Sequence, residues 1–157
     1  MKQKEIINHF KKNISNISSI DGAILIGSFG RNNPAYNSDI DISVLVNQNF
    51  KEEIFLNEIR RLYCDKAKYI LKSELRSKCV VYFLDSPKLE FNICYKLNDI
   101  DSYFLGSEIS EINDCIILDN QDQIKIHLNE ILEKKKGNPV NIAKLFCNTV
   151  DKFAILT

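Results

Sequence analysis

The sequence predicts an α/β fold, a small mixed sheet flanked by helices. Three observations carry the prediction. Short apolar runs of strand length recur at 23–28, 38–46, 79–85, 88–95 and 115–119. Between them, segments at 3–16, 51–63 and 122–135 repeat apolar residues at helical spacing. The chain has 157 residues, 45% hydrophobic and 27% charged, enough to bury one core in an ordinary globular composition.

Each element has its own warrant. Ile6, Ile7, Phe10 and Ile14 form the apolar stripe of a first helix over 3–16. Residues 23–28 read as a buried strand, and Gly30, Asn32, Asn33 and Pro34 mark 29–37 as a loop or short turn. In the strand over 38–46, side chains alternate between faces, so Ile40, Ile42, Val44 and Val46 share one face while Asp39 and Asp41 share the other. Ile54, Phe55, Ile59 and Leu62 place a helix at 51–63, and the spacing extends a further helical piece through 66–77. The runs at 79–85 and 88–95, joined at Ser86-Pro87, predict a β-hairpin. Asp99 to Tyr103 suggest a short helix, 115–119 a last strand, and 122–135 an amphipathic helix ending before Gly137. Asn138-Pro139 is a good N-cap and first-position pair for a final helix, whose stripe is Ala143, Phe146, Cys147, Val150, Phe153 and Ala154. Residues 1–137 are therefore expected to form one domain. Residues 138–157 form a C-terminal helix that serves a homodimer or partner-protein contact or opens a truncated helical domain. His9 and His127 are expected on helix surfaces, and Tyr36 in ordinary loop packing rather than stacked on a base.

Composition narrows the function. Lys plus Arg and Asp plus Glu each number 21, so the formal net charge is zero and there is no global basic field for a nucleic-acid partner. Five cysteines lie without metal-ligand spacing, as reduced core thiols do. The N-terminus lacks an apolar signal core. The longest apolar run, Cys79 to Leu84, is far short of the roughly 18 residues a membrane span needs. These features point to a cytoplasmic protein with no membrane contact.

The chemistry concentrates in residues 23–46. An apolar run ends at Gly27-Ser28, ten residues follow, and Asp39 and Asp41 open the next strand. Two carboxylates about 6.5 Å apart along a strand repel one another unless a cation sits between them. Mg²⁺ or Mn²⁺ suits such a pair, because a small hard cation is held by one or two carboxylates plus substrate phosphates. Glycine at 27 lets the backbone approach a phosphate, and the Ser28 hydroxyl adds a donor. Arg31 can contact a triphosphate or form a surface salt bridge. On 88–95, Leu89, Phe91 and Ile93 share one face and Glu90 alternates onto the other. A lone charge in an apolar strand needs a partner or a metal. Beside strand 38–46, Glu90 joins Asp39 and Asp41 as a third acidic group; its alternative is an ion pair with a nearby lysine.

Ile26-Gly27-Ser28, Asp39-Ile40-Asp41-Ile42 and Leu89-Glu90-Phe91, in this order and spacing, resemble the motif of the nucleotidyltransferase superfamily that includes DNA polymerase beta. The likeness covers roughly residues 20–95. The Gly-Ser-Phe-Gly-Arg form is similar to the small bacterial members, the minimal nucleotidyltransferases paired with HEPN toxins and the antibiotic adenylyltransferases. The resemblance implies transfer of a nucleoside monophosphate from an NTP, with ATP the expected donor, to a hydroxyl. It implies phosphate binding by Gly27 and Ser28, metal binding by Asp39 and Asp41, and a Glu90 that completes the metal site or takes the acceptor's proton. The acceptor is a small molecule or a protein. The alternatives are an antitoxin acting on its partner toxin, or a nucleotide-binding module without turnover.

Overall fold

In a computed structural model, residues 2–73, 78–101 and 112–136 are described. Along the chain come α1 (Gln3–Asn13) with a 3₁₀ turn at Ile14–Asn16, β1 (Ile20–Ile26), α2 (Gly27–Gly30), β2 (Ile40–Val46) and α3 (Glu52–Tyr63). Then follow β3 (Ala67–Ser73), β4 (Lys78–Phe83), β5 (Leu89–Cys94) and a 3₁₀ turn at Leu97–Ile100. The last described elements are α4 (Ile112–Cys115), β6 (Ile116–Asp119) and α5 (Gln123–Lys136). The strands form one six-stranded mixed sheet in the order β3-β4-β5-β2-β1-β6. β2 runs antiparallel to β1 and parallel to β5, and β4 and β5 pair as the expected hairpin.

β1 and β2 are almost uninterrupted apolar runs because both faces of the central sheet are covered. α1 and α3 lie over the face that carries Ile40, Ile42 and Phe91. Phe10 and Phe55 bring their rings to Phe91 with centroids 4.9 and 5.7 Å away. The two helices are also tied directly: the Tyr63 hydroxyl donates to the Ile6 carbonyl at 3.3 Å, and His9 Nε2 lies 2.8 Å from the Leu62 carbonyl. On the opposite face α5 covers the β1–β6 end, where Ile124 sits directly over Gly22. Its first turn is capped by Asp119, which accepts from the Ile124 and Lys125 amides at 3.3 and 2.9 Å.

Four expectations change. Residues 67–73 form a strand, not a helix, because the Tyr69-Ile70-Leu71 run pairs with β4 in an antiparallel ladder, with an irregularity between Ala67 and Tyr69. Ile70 packs on the core, while its neighbours Tyr69 and Leu71 are more than half exposed. The histidines are half-buried and bonded rather than free on the surface; His127 Nε2 stands 2.6 Å from Asp101 Oδ1. Tyr36 is 97% exposed and packs on nothing. Gly27–Gly30 is one short helical turn, with the loop starting after it. Cys79, Cys94 and Cys115 are buried free thiols, as expected, while Cys64 is exposed. Burial pushes the Cys79 thiol up to about 12 and those of Cys94 and Cys115 to about 11. No helix among the described residues is long and apolar enough to cross a membrane. The final helix, and the end of the short helix expected at 99–103, lie outside the described residues.

Candidate active site

β1 leaves the sheet at Ile26, and the chain turns at Gly27 with φ of +64°. That is the left-handed region, open to glycine at little cost. A Cβ on Gly27 would also stand 2.8 Å from Asp41 Oδ2, so the carboxylate lies directly over the turn because no side chain intervenes. The turn closes through Arg31 N to Gly27 O at 3.2 Å and Asn33 N to Ser28 O at 2.9 Å. Gly30 seats it on β1, where a Cβ would meet the Leu25 carbonyl at 2.6 Å.

Asp41 is the second residue of β2. It is level with Ile26 on one neighbouring strand and with Glu90 on the other. Residues in register on adjacent strands point to the same face, with backbones about 4.8 Å apart. Glu90 therefore shares a face with Asp41 at the end of the sheet where Gly27 turns. Asp39 precedes β2, with its side chain 43% exposed. One step further along the same face lie the buried Ser43 and Asn92, also in register. Ser28 is half-buried beside the turn. Arg31 is exposed at its end and makes no ion pair with another described residue.

Two lysines complete the cluster. Lys88 Nζ bridges two carboxylates, Asp39 Oδ2 at 3.3 Å and Glu90 Oε1 in a short hydrogen bond. Lys78 Nζ, from β4, reaches the other oxygen of Glu90 at 3.1 Å. These contacts divide the carboxylates. Burial, then the neighbouring Glu90 and Asp39, raise the Asp41 carboxyl above the usual range, and the two lysines only partly offset them. Burial also works against the Glu90 charge, but the hydrogen bonds from Lys88 and Lys78 outweigh it and hold that carboxyl below its ordinary value. The Lys88 ammonium is raised in return, chiefly by its hydrogen bond to Glu90.

A divalent cation fits this donor set through Asp39 and Asp41. Both offer hard oxygens, and Asp41 is a half-buried negative group whose burial and acidic neighbours outweigh its cations. Glu90 has both oxygens occupied by lysines. Among the described residues no three His, Cys, Asp or Glu side chains converge as a ligand set. Hollows of about 240 Å³ between α3 and β3 and about 270 Å³ beside α5 touch none of these residues.

Of the residues singled out in the sequence, the structure gathers Gly27, Asp39, Asp41 and Glu90, and leaves Arg31 at the rim. For Glu90 the sequence by itself offers a nearby lysine without saying which. Lys88 was legible, since it lies two residues before Glu90 and so on the same side of an extended chain. Lys78 was not, because its approach depends on the pairing of β4 with β5.

The structure thus sets the Gly-Ser turn against Asp41, with Glu90 in register on the parallel neighbour. The sequence profile described as "Polymerase beta, Nucleotidyltransferase" matches residues 4–97, and the chain belongs to that family. It is similar to a protein of Methanocaldococcus jannaschii named as a candidate protein adenylyltransferase. The two are 35% identical over 80 residues, 50% of this chain and 77% of that protein. Among solved structures, the Cid1 poly(U) polymerase with Mg 3'-dATP bound is similar at a TM-score of 0.42 and 15% identity. That match covers 59% of this chain, which spans 29% of the length of the polymerase.

Proposed function

We propose that this protein transfers AMP from ATP to a hydroxyl, releasing pyrophosphate, with Mg²⁺ or Mn²⁺ held by Asp39 and Asp41. The carrying observation is Asp41, held between the Gly27 turn and Glu90 by strand register. Gly27 and Ser28 receive the β- and γ-phosphates, the glycine by leaving the backbone open and the serine through its hydroxyl. Arg31, exposed at the rim, reaches the triphosphate. Bound metal supplies charge neutralisation on the phosphates and alignment of the α-phosphate for in-line displacement. Glu90 either completes that coordination or accepts the acceptor's proton. A protein hydroxyl is the acceptor the M. jannaschii relative favours, since that protein is named for adenylylating protein. Zero net charge is consistent with an acceptor other than a long polyanion.

Calorimetry with ATP tests the reading. ATP binding should require Mg²⁺ or Mn²⁺, and Asp39→Asn combined with Asp41→Asn should abolish that requirement while the circular dichroism spectrum is kept. Equal ATP affinity in EDTA would overturn it. Incubation with α-labelled ATP and candidate acceptors then reads the transfer itself.

A further inference from the structure

Lys88 bridges Asp39, one of the two carboxylates assigned to the divalent ion, and Glu90, the neighbour of the other. Its backbone is pinned there, since its carbonyl accepts from the Ile40 amide at 3.0 Å as β5 joins β2. Its side chain is 34% exposed, on a flexible four-carbon stem, and the Asp39 it touches is 43% exposed. The contact with Asp39, open on both sides, is readily broken, while the contact with the more buried Glu90 is the tighter of the two. Lys78 differs in that it touches only Glu90, which Lys88 also holds, and does not reach Asp39.

We propose that Lys88 is a built-in cation that bridges Asp39 and Glu90 until the divalent ion displaces it, and that the freed ammonium then binds the donor triphosphate. This rests on the metal-dependent reading of the site. Charge balance supplies the reason. An ammonium and a metal ion that share Asp39, with Glu90 and Asp41 on either side, repel each other, while the incoming triphosphate brings anionic oxygens to the same face of the sheet. A lysine anchored at the start of β5 can exchange one set of oxygens for the other without moving the backbone. Lys78 stays behind as the standing counter-ion of Glu90.

The full-length protein and its Lys88→Met, Lys88→Gln and Lys78→Met variants should be titrated with Mn²⁺ alone, then with ATP at saturating Mn²⁺. Both Lys88 variants are expected to bind Mn²⁺ about tenfold tighter than the unaltered protein, because a competing cation is gone. Lys78→Met should gain less than about threefold, since it removes a charge without vacating the bridge. The Lys88 variants should then bind ATP about tenfold more weakly. An equal gain in Lys78→Met would reduce the effect to general electrostatics and overturn the bridge. Unchanged Mn²⁺ affinity in both Lys88 variants overturns the displacement, and unchanged ATP affinity overturns the transfer to phosphate. Failure of the unaltered protein to bind Mn²⁺ would remove the proposed function itself, which none of the other outcomes does.

Discussion

Gly27 shows how much one missing side chain decides. Its positive φ and its distance to Asp41 make the same demand from two directions. Gly27→Ala should therefore cost about 1–2 kcal/mol for the left-handed backbone alone. It should also weaken metal-dependent ATP binding, because a methyl pushes the Asp41 carboxylate off the turn. Urea unfolding and calorimetry read the two effects separately; a variant matching the parent in both would contradict the role given to the turn. The thiols make a second residue-scale case. Cys64 is exposed, whereas Cys79, Cys94 and Cys115 are buried with raised values. Under native conditions a maleimide should label Cys64 within minutes and leave those three unmodified until the protein unfolds, as mapped by peptide mass spectrometry. Early labelling of Cys79 would show that β4 opens locally. Glu90 is readable as a group needing a partner, and Lys88 as one that can answer it, but the second partner, Lys78, was decided by the fold.

Among the elements, β5 joins the two halves of the argument. One face carries Phe91 into the rings of Phe10 and Phe55, and the other carries Glu90 into the site. Phe91→Ala should cost about 3–5 kcal/mol, as a large aromatic removed from a full core does. Tyr69→Ala on the edge strand β3, a change at a side chain 56% exposed, should stay within about 0.5 kcal/mol. Thermal or denaturant melts of the two variants test the contrast, and a large loss at Tyr69 would mean that its face of β3 is covered. β3 is also where the sequence misled. Tyr69, Ile70 and Leu71 are consecutive apolar residues, compatible with either period over so short a run. The ladder to β4 settled the matter, since a strand at that edge satisfies its backbone against Lys78–Phe83.

For the whole molecule, the buried thiols set the response to alkali. Each has a folded value above its ordinary 9.0, at about 12 for Cys79 and about 11 for Cys94 and Cys115. A group raised on folding contributes fully below its unfolded value and loses that contribution as pH rises through the folded one. Stability should therefore be flat in these groups below pH 9 and fall between roughly pH 9 and 12, by up to about 1.4 kcal/mol per pH unit for each thiol. Urea midpoints at pH 8 and 10 measure the fall, and Cys79→Ala should lessen it; a midpoint that does not move would refute the burial of these groups. Assembly is a separate question at this scale. The stripe from Ala143 to Ala154 is large enough to mark an interaction site if it faces water. The full chain is expected to scatter light as an oligomer and a chain ending at Gly137 as a monomer; a monomeric full chain would return the stripe to its own core.

By itself the sequence determined the α/β class, the helices of α1, α3 and α5, the β4–β5 hairpin, and the Gly27, Asp39, Asp41 and Glu90 set. These are local properties: hydrophobic period, turn chemistry, and carboxylates spaced by the two-residue repeat of a strand. Tertiary structure decided the rest. The parallel register of β2 with β5 puts Glu90 level with Asp41, and the hairpin brings Lys78 within reach of it. The pairing of β3 overrode a helical spacing. The β2–β5 register depends on residues far apart in the chain, and the other two on which side chains and backbone groups meet once neighbouring strands pair, so their free energy is realised only when the sheet forms.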